Sequence, residues 1–154
     1  MTKIFTKLFL RDLEKLKIEI TSYKDEKKMW EVSSDTCPSG RRVKNSSGNL
    51  CLHICGNLQH FIGATLGNSG YVRKRDEEFS RKNIPVEEMV EEIDKTLEVV
   101  KQTLNDLKEE KLDEIFPINV FGEEMTTGFF LTHLTTHLSY HLGQINYHRR
   151  LLDT

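Results

Sequence analysis

No segment of this chain is apolar for long enough to enter a membrane, and neither sign of charge dominates it. Its apolar stretches fall short of the roughly 18 residues that a span requires. A formal net charge of −2 at pH 7 creates no field for nucleic acid or an anionic lipid surface. The basic patches Arg41-Arg42-Val43-Lys44 and Arg73-Lys74-Arg75 are too short to alter that. Nucleic-acid and membrane partners are therefore not expected. The N-terminal MTKIFTKLFLRDLEKLK interrupts its apolar residues with Lys3, Lys7, Arg11 and Lys15. It lacks the continuous apolar core and small-residue cleavage site of an export signal, so a cytoplasmic location is expected. Cysteine is scarce and odd in number, at three. Without export, Cys37, Cys51 and Cys55 do not suggest a disulfide framework. Cys51 and Cys55, four apart on a helical segment, read as small buried hydrophobes. Strand-like alternation, internal repeats and low-complexity tracts are missing as well.

What the chain does carry is helical periodicity. With 154 residues and 37% hydrophobic content, it is one domain's worth of sequence (1–154), long enough to bury a core. Four long segments repeat apolar residues at helical spacing. The first is expected from about Thr2 to Lys24, with Ile4, Phe5, Leu8, Leu13, Leu16 and Ile20 facing inward. The second starts at a Ser46 or Ser47 cap and runs to about Leu66, where Gly67-Asn68-Ser69-Gly70 ends it. The third opens with Pro85 at its first position and continues to about Lys108 through Met89, Val90, Ile93, Leu97, Val100 and Leu104. The fourth, capped by Thr126 or Thr127, reaches about Leu152. Four helices of roughly 20 residues, each about 30 Å long, predict an all-α four-helix bundle. The connectors are long for hairpins. The one over residues 67–85 is expected to be a crossover that leaves helices two and three parallel.

The fourth segment also concentrates histidine, with His133, His137 and His141 at four-residue steps and His148 beyond. On a helical wheel, Leu131, Leu134, Leu138, Leu142 and Ile145 form its apolar stripe. His141 falls roughly 50° from the centre of that stripe, His148 roughly 70°, His137 roughly 90° and His133 roughly 130°. His133 is thus expected to be the wettest of the four. Histidines eight apart are separated by about 12 Å along the axis, whereas zinc–nitrogen bonds are about 2.1 Å. Only a pair one turn apart can share an ion, and burial favours His137 with His141.

A third ligand must come from another element. On the second helix, His53 and His60 stand seven apart, both flanking the stripe of Leu50, Ile54, Leu58 and Phe61. Geometry read from sequence leaves both in play. Three imidazoles without a carboxylate leave a coordination position open, the layout of a reactive site rather than a closed structural one. The donor set suits zinc, nickel or iron. HExxH is absent, which argues against a zincin protease. Histidines at a bundle's edge also commonly bond to carbonyls or water, so the pair alone does not establish a metal site.

Three stretches carry a resemblance. Asn45-Ser46-Ser47-Gly48-Asn49-Leu50-Cys51-Leu52-His53 is a capped helix start leading to a histidine. Arg73-Lys74-Arg75-Asp76-Glu77-Glu78-Phe79 follows an R-x-R-D-x-E-F pattern, and His137-Leu138-Ser139-Tyr140-His141-Leu142-Gly143-Gln144 follows HxxxH-x-GQ. Together, in order and spacing, they resemble the DinB/YfiT-like superfamily of bacterial four-helix-bundle metalloproteins, the second stretch pointing to an uncharacterised branch. The resemblance implies a ligand triad of His53, His137 and His141 with water completing the shell, which breaks the tie with His60. It also implies the crossover, commonly a homodimer, and a small-molecule substrate. Some members are metal-dependent thiol transferases or isomerases that use bacillithiol, mycothiol or glutathione; many have no established activity.

Other residues admit two readings. Arg73 and Arg75, with Asp76 and Glu78, could position an anionic cofactor or substrate, or form a salt-bridge network that pins the connector. Gln144 could orient a ligand or bond between helices, and Asn57 could stand behind His53. Tyr140 and Tyr147 are expected to pack. Besides a metal-dependent thiol transferase, the sequence allows a non-catalytic bundle whose ion is structural or sensory, and a dimeric interaction module.

Overall fold

The computed structural model of the protein describes residues 1–32 and 44–153. Cys37 and the basic residues Arg41 and Arg42 lie outside the described residues. Among the described residues, four long helices and one short one make up the fold. They are α1 (Thr2–Thr21), α2 (Ser47–Leu58), α3 (Arg75–Ser80), α4 (Val86–Asp106) and α5 (Thr127–Leu152). α2 continues through a π-helical stretch (Gln59–Ala64) into Thr65–Gly67. Single 3-10 turns occupy Glu26–Trp30 and Glu109–Leu112. The described residues contain no strand beyond an isolated bridge between Ile115 and Thr126. No helix among them is long and apolar enough to cross a membrane.

The helix ends follow local chemistry. Ser46 Oγ accepts the Asn49 amide at α2, and Thr126 Oγ1 accepts the Phe129 amide at α5. The second helix ends where Asn68 takes the left-handed conformation with φ of 51°, the role expected of a glycine. Pro85 caps α4 from one position before the first helical residue, Val86. Glu87 and Glu88 then lie in the first turn, where the helix dipole favours them.

Cross-helix contacts fix the directions. Met1 pairs with Glu109 and Lys17 with Asp94, so α1 and α4 run antiparallel. Ser139 bonds Asp12 and both Asn146 and Arg149 bond Glu19, so α1 and α5 are parallel. Gln59 bonds Glu92 and Thr96, and Gly67 lies against Thr103, so α2 and α4 are parallel as well. The crossover from α2 to α4 is therefore present, and α3 lies within it. α2 and α5 are antiparallel, with His53 opposite His137 and Phe61 opposite Phe130. At Gly63 an added Cβ would come 2.5 Å from Val99 Cγ1; its lack of a side chain lets α2 and α4 approach.

Two helices present faces other than those expected. Ile4, expected inward, is 57% exposed, while Phe9 is fully buried. The buried stripe of α1 runs Phe5, Phe9, Leu13, Leu16, Ile20, one step round from a stripe drawn through Ile4 and Leu8. Tyr140 and Tyr147, expected to pack, are both 64% exposed, because they point away from α1 and α2. On α5, Leu131, Leu134, Leu138 and Ile145 of the expected stripe are buried, and Leu142 is half-buried against the core. Cys51 and Cys55 are buried free thiols, as small hydrophobes would be.

Candidate metal centre

Two antiparallel helices bring three imidazoles to one point. α2 contributes the buried His53, and α5 contributes the half-buried His137 and His141 one turn apart. His53 Nε2 lies 3.3 Å from His137 Nε2, which lies 3.1 Å from His141 Nε2. One ligand atom from each ring falls within 4.8 Å of the other two. A tetrahedral ion with bonds of about 2.1 Å separates its ligand nitrogens by about 3.4 Å, close to these spacings. The three histidines therefore lie close enough to bind one metal ion.

The far side of two rings is already engaged. His53 Nδ1–H donates to Glu78 Oε2 at 2.9 Å, and His141 Nδ1–H donates to Gln144 Oε1 at 2.7 Å. A carboxylate and an amide oxygen can only accept here, so each bond places the ring proton on Nδ1 and leaves the Nε2 lone pair for the cluster. Gln144 is thus an orienting residue within α5, not a bond between helices.

Glu78 has a second partner. Arg73 holds it bidentately, Nε to Oε1 at 2.7 Å and Nη2 to Oε2 at 2.9 Å. Burial works against its charge, but hydrogen bonds from His53 and Arg73 outweigh it and hold its carboxyl below the usual range. Arg73 also lies 5.7 Å from the centre of the Phe61 ring. Arg75 sits 5.4 Å over Phe79 and is exposed. The structure thus brings Arg73 to the cluster through Glu78 and leaves Arg75 at the surface.

The other histidines stand apart. His60 packs edge-on to Phe61 at 4.8 Å; seven residues of helix carry it about 10 Å beyond His53. His133, expected to be wet, is half-buried between Phe121 and Phe130. His148 bonds the Tyr23 hydroxyl and the Glu31 carbonyl, both at 2.8 Å, and ties the segment after α1 to α5. Neither that tie nor the Glu78–His53 bond has a sequence signal, since their partners are 125 and 25 residues apart. A groove of about 640 Å³ between Thr65–Ser69 and Val99–Thr103 contains none of the histidines, so it is the donor geometry that marks this centre.

Burial, reinforced by His141, His53, His133 and Arg73, pushes the His137 imidazole down to about 4. Burial lowers His141 too, against the opposing bond to Gln144. His137 therefore stays unprotonated well below neutral pH, and burial shifts His141 in the same direction. The ion-free protein should carry its full stability from His137 above pH 6.5. It should lose on the order of 2 kcal/mol, discounted for partial solvent screening, as the pH falls from 6.5 towards 4, where the unfolded chain binds protons that the folded one refuses. Urea denaturation across that window checks the sign; stability rising on acidification would contradict it.

A model of one protein family matches residues 5–154, and its description is "Protein of unknown function (DUF1572)". No protein with a curated description matches the chain significantly. Among solved structures, the crystal structure of a conserved protein from Enterococcus faecalis is similar to it with a TM-score of 0.70 at 16% identity. That similarity covers 99% of this chain and 96% of the other. At such identity the likeness concerns the fold.

Proposed function

The chain belongs to the family described as a protein of unknown function (DUF1572), and for this member we propose a divalent-metal protein. His53, His137 and His141 hold the ion and leave a position open for a small-molecule ligand. The observation that carries this reading is the convergence of three Nε2 atoms from two helices, with Glu78 and Gln144 already accepting from two of the rings. The resemblance of the three motifs to the DinB/YfiT-like superfamily supports the same triad. It extends the reading to a metal-dependent S-transferase that uses a low-molecular-weight thiol.

When bound, the ion supplies a Lewis acid that favours deprotonation of a thiol or water beside it near neutral pH. The chain's own residues do the rest. Glu78 and Gln144 fix the tautomers of His53 and His141, and burial keeps His137 unprotonated. Arg73 neutralises Glu78 with both of its bonded nitrogens. Arg75, exposed beside Phe79, is placed to meet an anionic tail on a substrate.

Protein purified without an affinity tag and loaded with zinc, nickel or iron should transfer a low-molecular-weight thiol to a chloro- or epoxide-bearing electrophile. A chelator should abolish that turnover. If no cysteine-type thiol is turned over by protein that demonstrably holds metal, the transferase reading fails. A structural or sensory ion is then the reading left, and one observation already favours it: Glu78, the carboxylate reaching the cluster, is engaged by His53 and Arg73 and is not free to act as a base.

A further inference from the structure

We propose that metal affinity and docking of the crossover form one coupled equilibrium, with Glu78 as the positioning residue that joins them; this rests on the three-histidine reading above. α3 has six residues, too few to persist as a helix on its own. Its Arg75, Asp76 and Glu77 are exposed, so few ties set its position. One is a backbone tie: Asn49 Nδ2 donates to the carbonyls of Glu78 at 2.9 Å and Arg81 at 3.0 Å. The others both reach His53: the Phe79 ring, whose centre lies 5.1 Å from that of the imidazole, and the Glu78 side chain, 6% exposed, bonded to its Nδ1.

α2 leaves space for that carboxylate at one place. A Cβ on Gly56 would lie 2.3 Å from Glu78 Oε1, and its three nearest atoms would all belong to Glu78. Docking of α3 and orientation of His53 thus share the Glu78 contact. An ion on His53 Nε2 draws electron density from the ring and strengthens the Nδ1–H bond to a carboxylate. Occupancy then pins α3. By reciprocity, the factor by which docking tightens the ion is the factor by which the ion tightens docking. The crossover is in this sense a metal-responsive segment.

The test uses the full chain as wild type, His53→Ala, Glu78→Gln, Gly56→Ala and Leu104→Ala. Zinc affinity is measured by competition with a chromophoric chelator, and amide hydrogen exchange over residues 74–82 is followed with and without zinc. Wild type should show zinc-slowed exchange there. Glu78→Gln and Gly56→Ala should each weaken zinc about 10–100-fold and remove the slowing. Gly56→Ala does so without touching a charge and replaces a helical glycine by a better helix former, which guards against misfolding. Leu104, buried on α4, supplies the control: Leu104→Ala should lower stability and leave zinc affinity unchanged, whereas a merely structural role for Glu78 would make zinc affinity fall with stability in both variants. Wild-type zinc affinity in both Glu78→Gln and Gly56→Ala, or exchange over 74–82 indifferent to zinc, overturns the coupling. If zinc is held by wild type and lost in His53→Ala while Glu78→Gln is unaffected, the coupling alone falls. If wild type takes up no zinc, the metal reading falls and the coupling with it.

Discussion

Replacing His137 with alanine should weaken binding of a divalent ion by more than about 100-fold, beyond the 10–100-fold that loss of an outer partner costs. His137 is the central donor: its Nε2 lies 3.3 Å from that of His53 and 3.1 Å from that of His141. Without it the remaining two rings offer an incomplete shell. The ion-free variant should also resist acid better than wild type, because it removes an imidazole whose folded pKa is depressed to about 4. Competition with a chelator reads the first effect and denaturation near pH 5 the second. Undiminished affinity would remove His137 from the site.

Truncating Phe130 to alanine should have the largest effect on stability. Its side chain is 1% exposed. Its ring centre lies 4.2 Å from that of Phe116 and 5.0 Å from that of Phe61. It therefore joins α5 to α2 and to the loop before α5 at the end of the bundle next to His133. Removing a buried phenylalanine of this kind costs about 3–5 kcal/mol. Denaturant unfolding of the ion-free variant measures that loss; a change below about 1 kcal/mol would mean that this end of the bundle is not packed as described.

The sequence carries the long helices because their signals are local. Serine and threonine caps, acids in a first turn and a leucine every three or four residues act within one segment, and the structure keeps them. Helix phase is less legible where apolar residues crowd. In α1, Ile4, Phe5, Leu8, Phe9 and Leu10 offer more than one stripe, and only the position of α4 and α5 selects Phe5 and Phe9. α2 escapes an amphipathic reading altogether: all of Ser47–Leu58 is buried, since α3 covers the side that a four-helix bundle would leave open. Phe130 shows the same limit on α5, buried beside the expected leucines by aromatic partners from α2 and the preceding loop.

The centre divides along the same line. The pairing of His137 with His141 follows from helical pitch and is visible in the sequence. The choice of His53 over His60 depends on the register of α2 against α5, which no local pattern encodes; family resemblance supplied it before the fold did. In the sequence Glu78 reads as part of a salt-bridge network pinning the connector, with substrate positioning the lesser alternative; its bond to His53 emerges only when the crossover folds back over Gly56. Its role is a tertiary fact.

Metal content by native mass spectrometry, on untagged protein loaded with zinc, tests the three-histidine centre most directly when wild type, His53→Ala and His60→Ala are compared. One ion per chain in wild type and His60→Ala, with none in His53→Ala, is the expected pattern. An empty wild-type chain under every loading condition, or an ion that survives His53→Ala and disappears in His60→Ala, would contradict it.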